Sequence, residues 1–161
     1  MRIILFLFML CSPAFAAGWT VYSNPRFGAN LDIPPGFVND VPASENGDGL
    51  VFHSADGQAE LLVWGGNLTD GDFKLDSEIR LNRELDHDWQ VSYRKESGNE
   101  WSVYSGSQSG RIMYARSLAS CRGTQAVHFR IEYPEAQKKD YDAIVERLSK
   151  SLKAGPASDC P

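Results

Sequence analysis

Between Gly49 and Gly66 the chain reads GLVFHSADGQAELLVWGG. Val51 and His53 alternate with Leu50 and Phe52, the two-residue period of a strand. Asp56-Gly57 supplies a turn, because a two-residue hairpin loop needs positive φ and Asp-Gly tolerates it. The return run, Glu60 to Trp64, is apolar on both sides, with Leu61 and Val63 pointing one way and Leu62 and Trp64 the other. A strand apolar on both faces is covered on both faces. The hairpin therefore predicts an interior strand with a layer above and a layer below.

The start of the chain has a different character. Arg2 gives a positive n-region, Ile3 to Leu10 is an unbroken apolar run, and Ala14-Phe15-Ala16 is a small-x-small cleavage site. That order predicts a secretory signal peptide over residues 1–16, leaving a single domain over 17–161. The run is far short of the roughly 20 apolar residues of a membrane span. Cys11 raises lipidation as an alternative, but a lipoprotein signal wants a small residue where Leu10 stands.

Cleavage leaves 145 of the 161 residues, and losing Arg2 takes the formal charge from −5 to −6. A domain of that size buries about two-thirds of its unfolded surface and needs no metal or cofactor to fold. An acidic chain without a Lys/Arg run argues against nucleic acid and against anionic lipid as partners. The expected location is periplasmic or secreted, with no stable membrane span. Cys121 and Cys160 remain after cleavage, and two cysteines in an exported chain are expected to pair. Two free thiols are the alternative. No Cys-x-x-Cys spacing points to redox chemistry.

Along the chain, Gly18–Ser23 and Ala29–Ile33 read as strands, the second stopped by Pro34-Pro35-Gly36. Residues 38–48 read as a loop. From Phe73 to about Asp86 the period becomes helical, with Leu75 and Ile79 four apart, as are Leu81, Leu85 and Trp89. Thr69, Asp70 or Asp72 is the expected cap. Strands follow over 90–96, 100–105, 111–120 and 124–133. Val127, Phe129, Ile131 and Tyr133 face the core, and Ala126, His128, Arg130 and Glu132 face the other way. Pro134 can open a last helix, in which Tyr141, Ile144, Leu148 and Leu152 make one stripe and Gly155-Pro156 the stop. The order β-β-β-β-α-β-β-β-β-α, joined by short turns, predicts an α+β fold, a mainly antiparallel sheet flanked by helices.

The opening, WTVYSNPRFGANLDIPPGF, resembles the start of PsbP-like domains of the Mog/PsbP type: an aromatic strand, a turn, and a second strand ending in Pro-x-Gly-aromatic. The hairpin, middle helix, strand block and terminal helix follow in the same order, over the whole of residues 17–161. The layout is also similar to that of small exported proteobacterial proteins. The resemblance implies an α/β/α sandwich and a non-catalytic accessory or docking role with a protein partner in the cell envelope. It carries no catalytic motif.

The chemistry-bearing residues give few signals. His53, His87 and His128 show no His-x-His or His-x-x-x-His spacing, so no metal site is expected. Asp70-Gly71-Asp72 fails as a calcium loop, because Lys74 takes a ligand position and Leu81 stands where the last glutamate belongs. In Gly106–Gly110 the position of a nucleophile is Gln108, so no G-x-S-x-G elbow forms. Arg116, His128, Arg130 and Glu132 remain as candidate ligand-binding residues. They could share one sheet face, wet or half-buried, with Arg116 and Arg130 clamping a carboxylate or phosphate. A small periplasmic hydrolase or a small-molecule carrier, built around His53 or His128, is the alternative to a binding module.

Overall fold

A computed structural model describes residues 18–68 and 71–160. The predicted signal peptide, with the caps Thr69 and Asp70, lies outside them. The elements are β1 (Thr20–Ser23), β2 (Ala29–Ile33), β3 (Gly49–His53), β4 (Glu60–Asn67), α1 (Phe73–Asp86), β5 (Gln90–Ser97), β6 (Trp101–Gln108), β7 (Arg111–Ser120), β8 (Gln125–Pro134), α2 (Lys138–Ser151) and β9 (Lys153–Ala154). This is the expected α+β order with one short strand added. Among the described residues, no helix is long and apolar enough to cross a membrane.

Six strands form one antiparallel sheet in the order β3-β4-β8-β7-β6-β5. The first two strands do not join it; they make a second sheet with β9, in the order β1-β2-β9. β4 is interior, between β3 and β8, as its apolar run requires. Its two faces are covered unequally: Leu61 and Val63 are fully buried, while Leu62 and Trp64 are half-buried. Each full burial stabilises by about 1.5–3 kcal/mol.

The buried side of the large sheet carries the main core. Leu61, Val63, Val127, Phe129 and Ile131 pack there against Leu31 and Ile33 of β2 and against Tyr141 and Leu148 of α2. The small sheet seats on β4 at Gly65. A Cβ there would lie 2.2 Å from Cβ of Phe27, so only glycine lets that ring approach. The other side of the large sheet is roofed by α1. Leu81 packs with Trp89, Tyr104, Met113 and Ala115, and Phe73 packs with Leu68 and Ala126.

Several local expectations need correction. The β3–β4 loop is longer than two residues: Ser54 N–H donates to the Ala59 carbonyl, and only Gly57 takes positive φ. β6 continues through Gln108 instead of dissolving at Ser105, and Ser109-Gly110 makes the turn. Pro134 ends β8; a 3-10 turn over Glu135–Gln137 separates it from α2. α2 stops at Ser151, before Gly155, because the chain turns extended at Leu152 to form β9. Asp72 is the cap of α1, accepting from Lys74 N and Leu75 N at 2.8 and 3.2 Å.

The apolar side of α1 also differs from the expectation. Phe73, Ser77 and Leu81 are the buried residues. Leu75, Ile79 and Leu85 are 39%, 47% and 47% exposed. Helical spacing puts Phe73, Ser77, Leu81 and Glu84 on one stripe and Leu75, Ile79, Asn82 and Asp86 on the opposite one.

Cys121 and Cys160 form a disulfide, with Cα atoms 5.4 Å apart. It ties the C-terminal tail to the turn between β7 and β8. Arg26 Nε donates to Asp159 at 2.7 Å, and Gln125 Nε2 donates to the Asp159 carbonyl at 2.9 Å, fixing the same corner.

Candidate functional site

The four candidate residues do not form one stripe. β7 and β8 pair so that Ser117 faces His128, Ala115 faces Arg130, and Arg116 faces Phe129. Arg116 therefore projects with Phe129 toward α2. His128, Arg130 and Glu132 project toward α1. A clamp made jointly by Arg116 and Arg130 is excluded by this register.

On the α1 side, His128 is 1% exposed. Its Nδ1 pairs with Ser117 Oγ at 2.7 Å, and its ring stacks on Trp64 with centroids 5.0 Å apart. Burial, helped by the nearby Arg80 charge, pushes its pKa well below the ordinary value, so the ring is neutral. Its Nε2 and the Ser102 hydroxyl have no partner among the described residues. Ser102 faces Ser117 across β6 and β7, so these groups lie in one cross-strand row under α1.

Arg130 is closed off by acids. Its Nε and Nη2 donate to the two Glu84 oxygens at 2.8 and 3.2 Å, and Nη1 donates to Glu132 at 3.0 Å. Its guanidinium also lies 5.3 Å from the Trp89 ring centroid. Burial opposes its charge, but the Glu84 and Glu132 hydrogen bonds and charges outweigh it and raise its pKa. Burial likewise opposes ionisation of Glu132, and Arg111 and Arg130 overcome it, holding that carboxyl below the usual range. Arg111 also pairs with Glu132. The network is internally neutralised. Two open clefts run along the seam, of about 200 and 430 Å³, and share Arg83, Glu84 and Arg130 in their walls. Arg83 is exposed and has no carboxylate partner among the described residues.

On the α2 side, Arg116 is half-buried and meets no carboxylate among the described residues. Its Nη1 donates to Ser149 Oγ at 2.9 Å, and Tyr114 OH pairs with the same oxygen at 3.1 Å. The Trp101 ring centroid lies 5.8 Å from its guanidinium carbon. Its Nε is buried without a partner.

His53 stands apart, at the β3 edge. Nδ1 pairs with Asp40 at 2.6 Å and Nε2 with Glu60 at 3.3 Å. The Asp40 hydrogen bond raises its pKa against the opposing effect of burial, and Glu60 adds to the rise. Among the described residues, no three His, Cys, Asp or Glu side chains gather as a metal site. The outward stripe of α1 and the isolation of Arg116 are features that sequence reasoning missed. A count of apolar residues four apart marked the first, without telling which side faced in. Nothing in the sequence marked the second.

Comparison with protein-family models gave no match, and neither did comparison with curated proteins. Solved structures do match. Cyanobacterial PsbP (CyanoP) from Synechocystis superposes with a TM-score of 0.63 at 16% identity, over 90% of this chain and 97% of that one. The Saccharomyces cerevisiae Ran-binding protein Mog1p gives 0.58 at 9% identity, over 83% and 93%. A point mutant of Mog1 gives 0.59 at 9%, over 87% and 97%. These likenesses, with the layers described above, show that the chain has the PsbP-like fold.

Proposed function

We propose that this chain is an exported binding module without chemistry of its own, which docks a protein partner of the cell envelope through the outward side of α1. One observation carries the reading. Leu75 and Ile79, four apart on the outward side, stand 39% and 47% exposed, on a helix whose buried stripe is already filled by Phe73, Ser77 and Leu81. Grouped exposed apolar side chains on one element mark an interaction surface. Mog1p, which shares the fold, is described as a Ran-binding protein, so the architecture serves protein binding in at least that case. Export rests on the pattern of residues 1–16. The Cys121–Cys160 bond supports it, since disulfides persist in oxidising compartments.

The hydrolase and carrier readings have less support. A general base must reach a substrate proton, and His128 is sealed beneath α1. His53 touches two carboxylates, with no hydroxyl or thiol bonded to its ring. The clefts beside α1 are charged, and the apolar cleft of about 310 Å³ beside Leu50, Leu62 and Trp64 lies open to solvent, unlike the enclosing pocket a carrier needs.

A photo-crosslinking residue at Ile79 of the exported full chain tests the reading. It should capture one discrete partner that the same residue at Lys139 of α2 does not. Leu75→Ser with Ile79→Ser should abolish the capture. Equal capture from both helices, or capture that survives the double variant, would contradict docking through α1. The intact mass of the exported protein reports whether cleavage falls after Ala16.

A further inference from the structure

We infer that Arg116 is the receptor of a small anion-binding site on the α2 side of the large sheet, built to take a carboxylate or phosphate group. The argument starts from a contrast within the chain. Arg26, Arg80, Arg111 and Arg130 are the other half-buried arginines among the described residues, and each has a carboxylate partner. Arg116 has none. A buried charge without a counter-charge costs free energy, and a buried donor without an acceptor costs more. An acidic chain has carboxylates in plenty, yet none was placed here.

The free donors have a useful geometry. Nη1 is engaged by Ser149; Nη2 and Nε have no partner among the described residues, and Nε is closed to solvent, so an anion must part the side chains over it to reach both. In a planar guanidinium these two N–H groups point the same way and form one fork, the fork that grips carboxylate and phosphate oxygens in pairs. Ser149, braced by Tyr114, fixes the opposite edge of the plane, so little rotational freedom is left to lose on binding. Trp101 supplies an apolar wall that excludes water from one side.

One further cation stands in the same row. Lys95 lies in the same cross-strand row as Arg116, with Val103 between them. Two strand spacings make about 10 Å between those backbones. Lys95 has no carboxylate partner among the described residues either, and its ammonium sits 5.8 Å from the Tyr93 ring. The row thus offers one anchoring fork and one steering cation. The site lies across the sheet from α1 and is independent of the docking surface proposed above, so either proposal can fail alone.

The test reads Arg116 directly. In 15N-labelled full-length mature protein, the side-chain Nε–H signal of Arg116 is followed while inorganic phosphate, and separately benzoate, is added at constant ionic strength. A saturable shift of that signal, absent from Arg130, is the expected result. Arg116→Gln should weaken binding about tenfold or more, the loss of one charge-assisted fork. Thermal unfolding supplies a second readout: the anion should raise the melting temperature of the wild type and leave that of the variant unchanged. A response to benzoate alone assigns a carboxylate, and a response to phosphate alone assigns a phosphate. No saturable shift with either, or an equal shift in Arg130, would overturn the site.

Discussion

Arg130 and Arg116 sit on adjacent strands of one sheet, and the sheet treats them in opposite ways. Arg130 faces α1 and is gripped by Glu84 and Glu132. Arg116 faces α2 and has a hydroxyl, an aromatic ring and no acid. A guanidinium with its carboxylates in place is a structural part, fixing the helix to the sheet. A guanidinium held in place without them is, on the inference above, the receptor of an anion. On the α1 side the central cation is therefore neutralised, and the outer surface of the helix is the docking surface proposed above. The α2 side is closed by its apolar core, with one half-buried cation at its margin that meets no acid among the described residues.

Removing the acid that closes the α1 side should have the largest effect. Glu84→Ala leaves Arg130 partly uncompensated at 16% side-chain exposure. It should cost about 3 kcal/mol of stability, measured by denaturant unfolding. A loss below about 0.5 kcal/mol would mean that the pair contributes no more than a surface bridge.

Acid should act next, and through His128. Its folded pKa is well below its unfolded value, so the unfolded chain binds the extra proton. Stability contributed by the neutral ring is fully present above the unfolded value near 6.5. It is lost as pH falls below that point, by up to about 1.4 kcal/mol per pH unit. His128→Gln keeps a partner for Ser117 and should remove this slope. His53 has the reverse sign: its raised pKa stabilises at low pH, and that contribution disappears as pH rises through the folded value. The difference between wild type and His128→Gln isolates the buried ring from the exposed one.

The smallest effect is expected on the outer side of α1. Leu75→Ser with Ile79→Ser should change the unfolding free energy by only about 0.5 kcal/mol per site, because neither side chain fills the core. A loss of several kcal/mol would place these residues in the packing and remove the basis for docking there.

The strands were readable from residue alternation. β2 and β7 fall where the period puts them, and the two faces of β8 follow from parity alone, since a one-residue slip would turn every side chain over. Which faces adjoin was not readable. Arg116 lies opposite Phe129 because the β7–β8 connection pairs Ser120 with Gln125. A connection one residue longer or shorter would set Arg116 opposite His128 or Arg130 and rebuild the stripe that the sequence suggested. The buried stripe of α1 was hidden because Ser77 and Glu84 occupy two of its positions. Glu84 is at home there only because Arg130, 46 residues away, meets it. Side-chain pairing across that distance leaves no local signature, whereas apolar periodicity does.

The most direct test of the contrast is the equilibrium unfolding of Arg116→Met and Arg130→Met, side by side at neutral pH. Arg130→Met abandons Glu84, leaves Glu132 with Arg111 alone, and should lose about 3 kcal/mol. Arg116→Met abandons none, fills similar volume with apolar atoms, and should stay within about 1 kcal/mol of the wild type or gain stability. Equal and large losses in both variants would show that Arg116 is a structural part like Arg130, and would contradict the account.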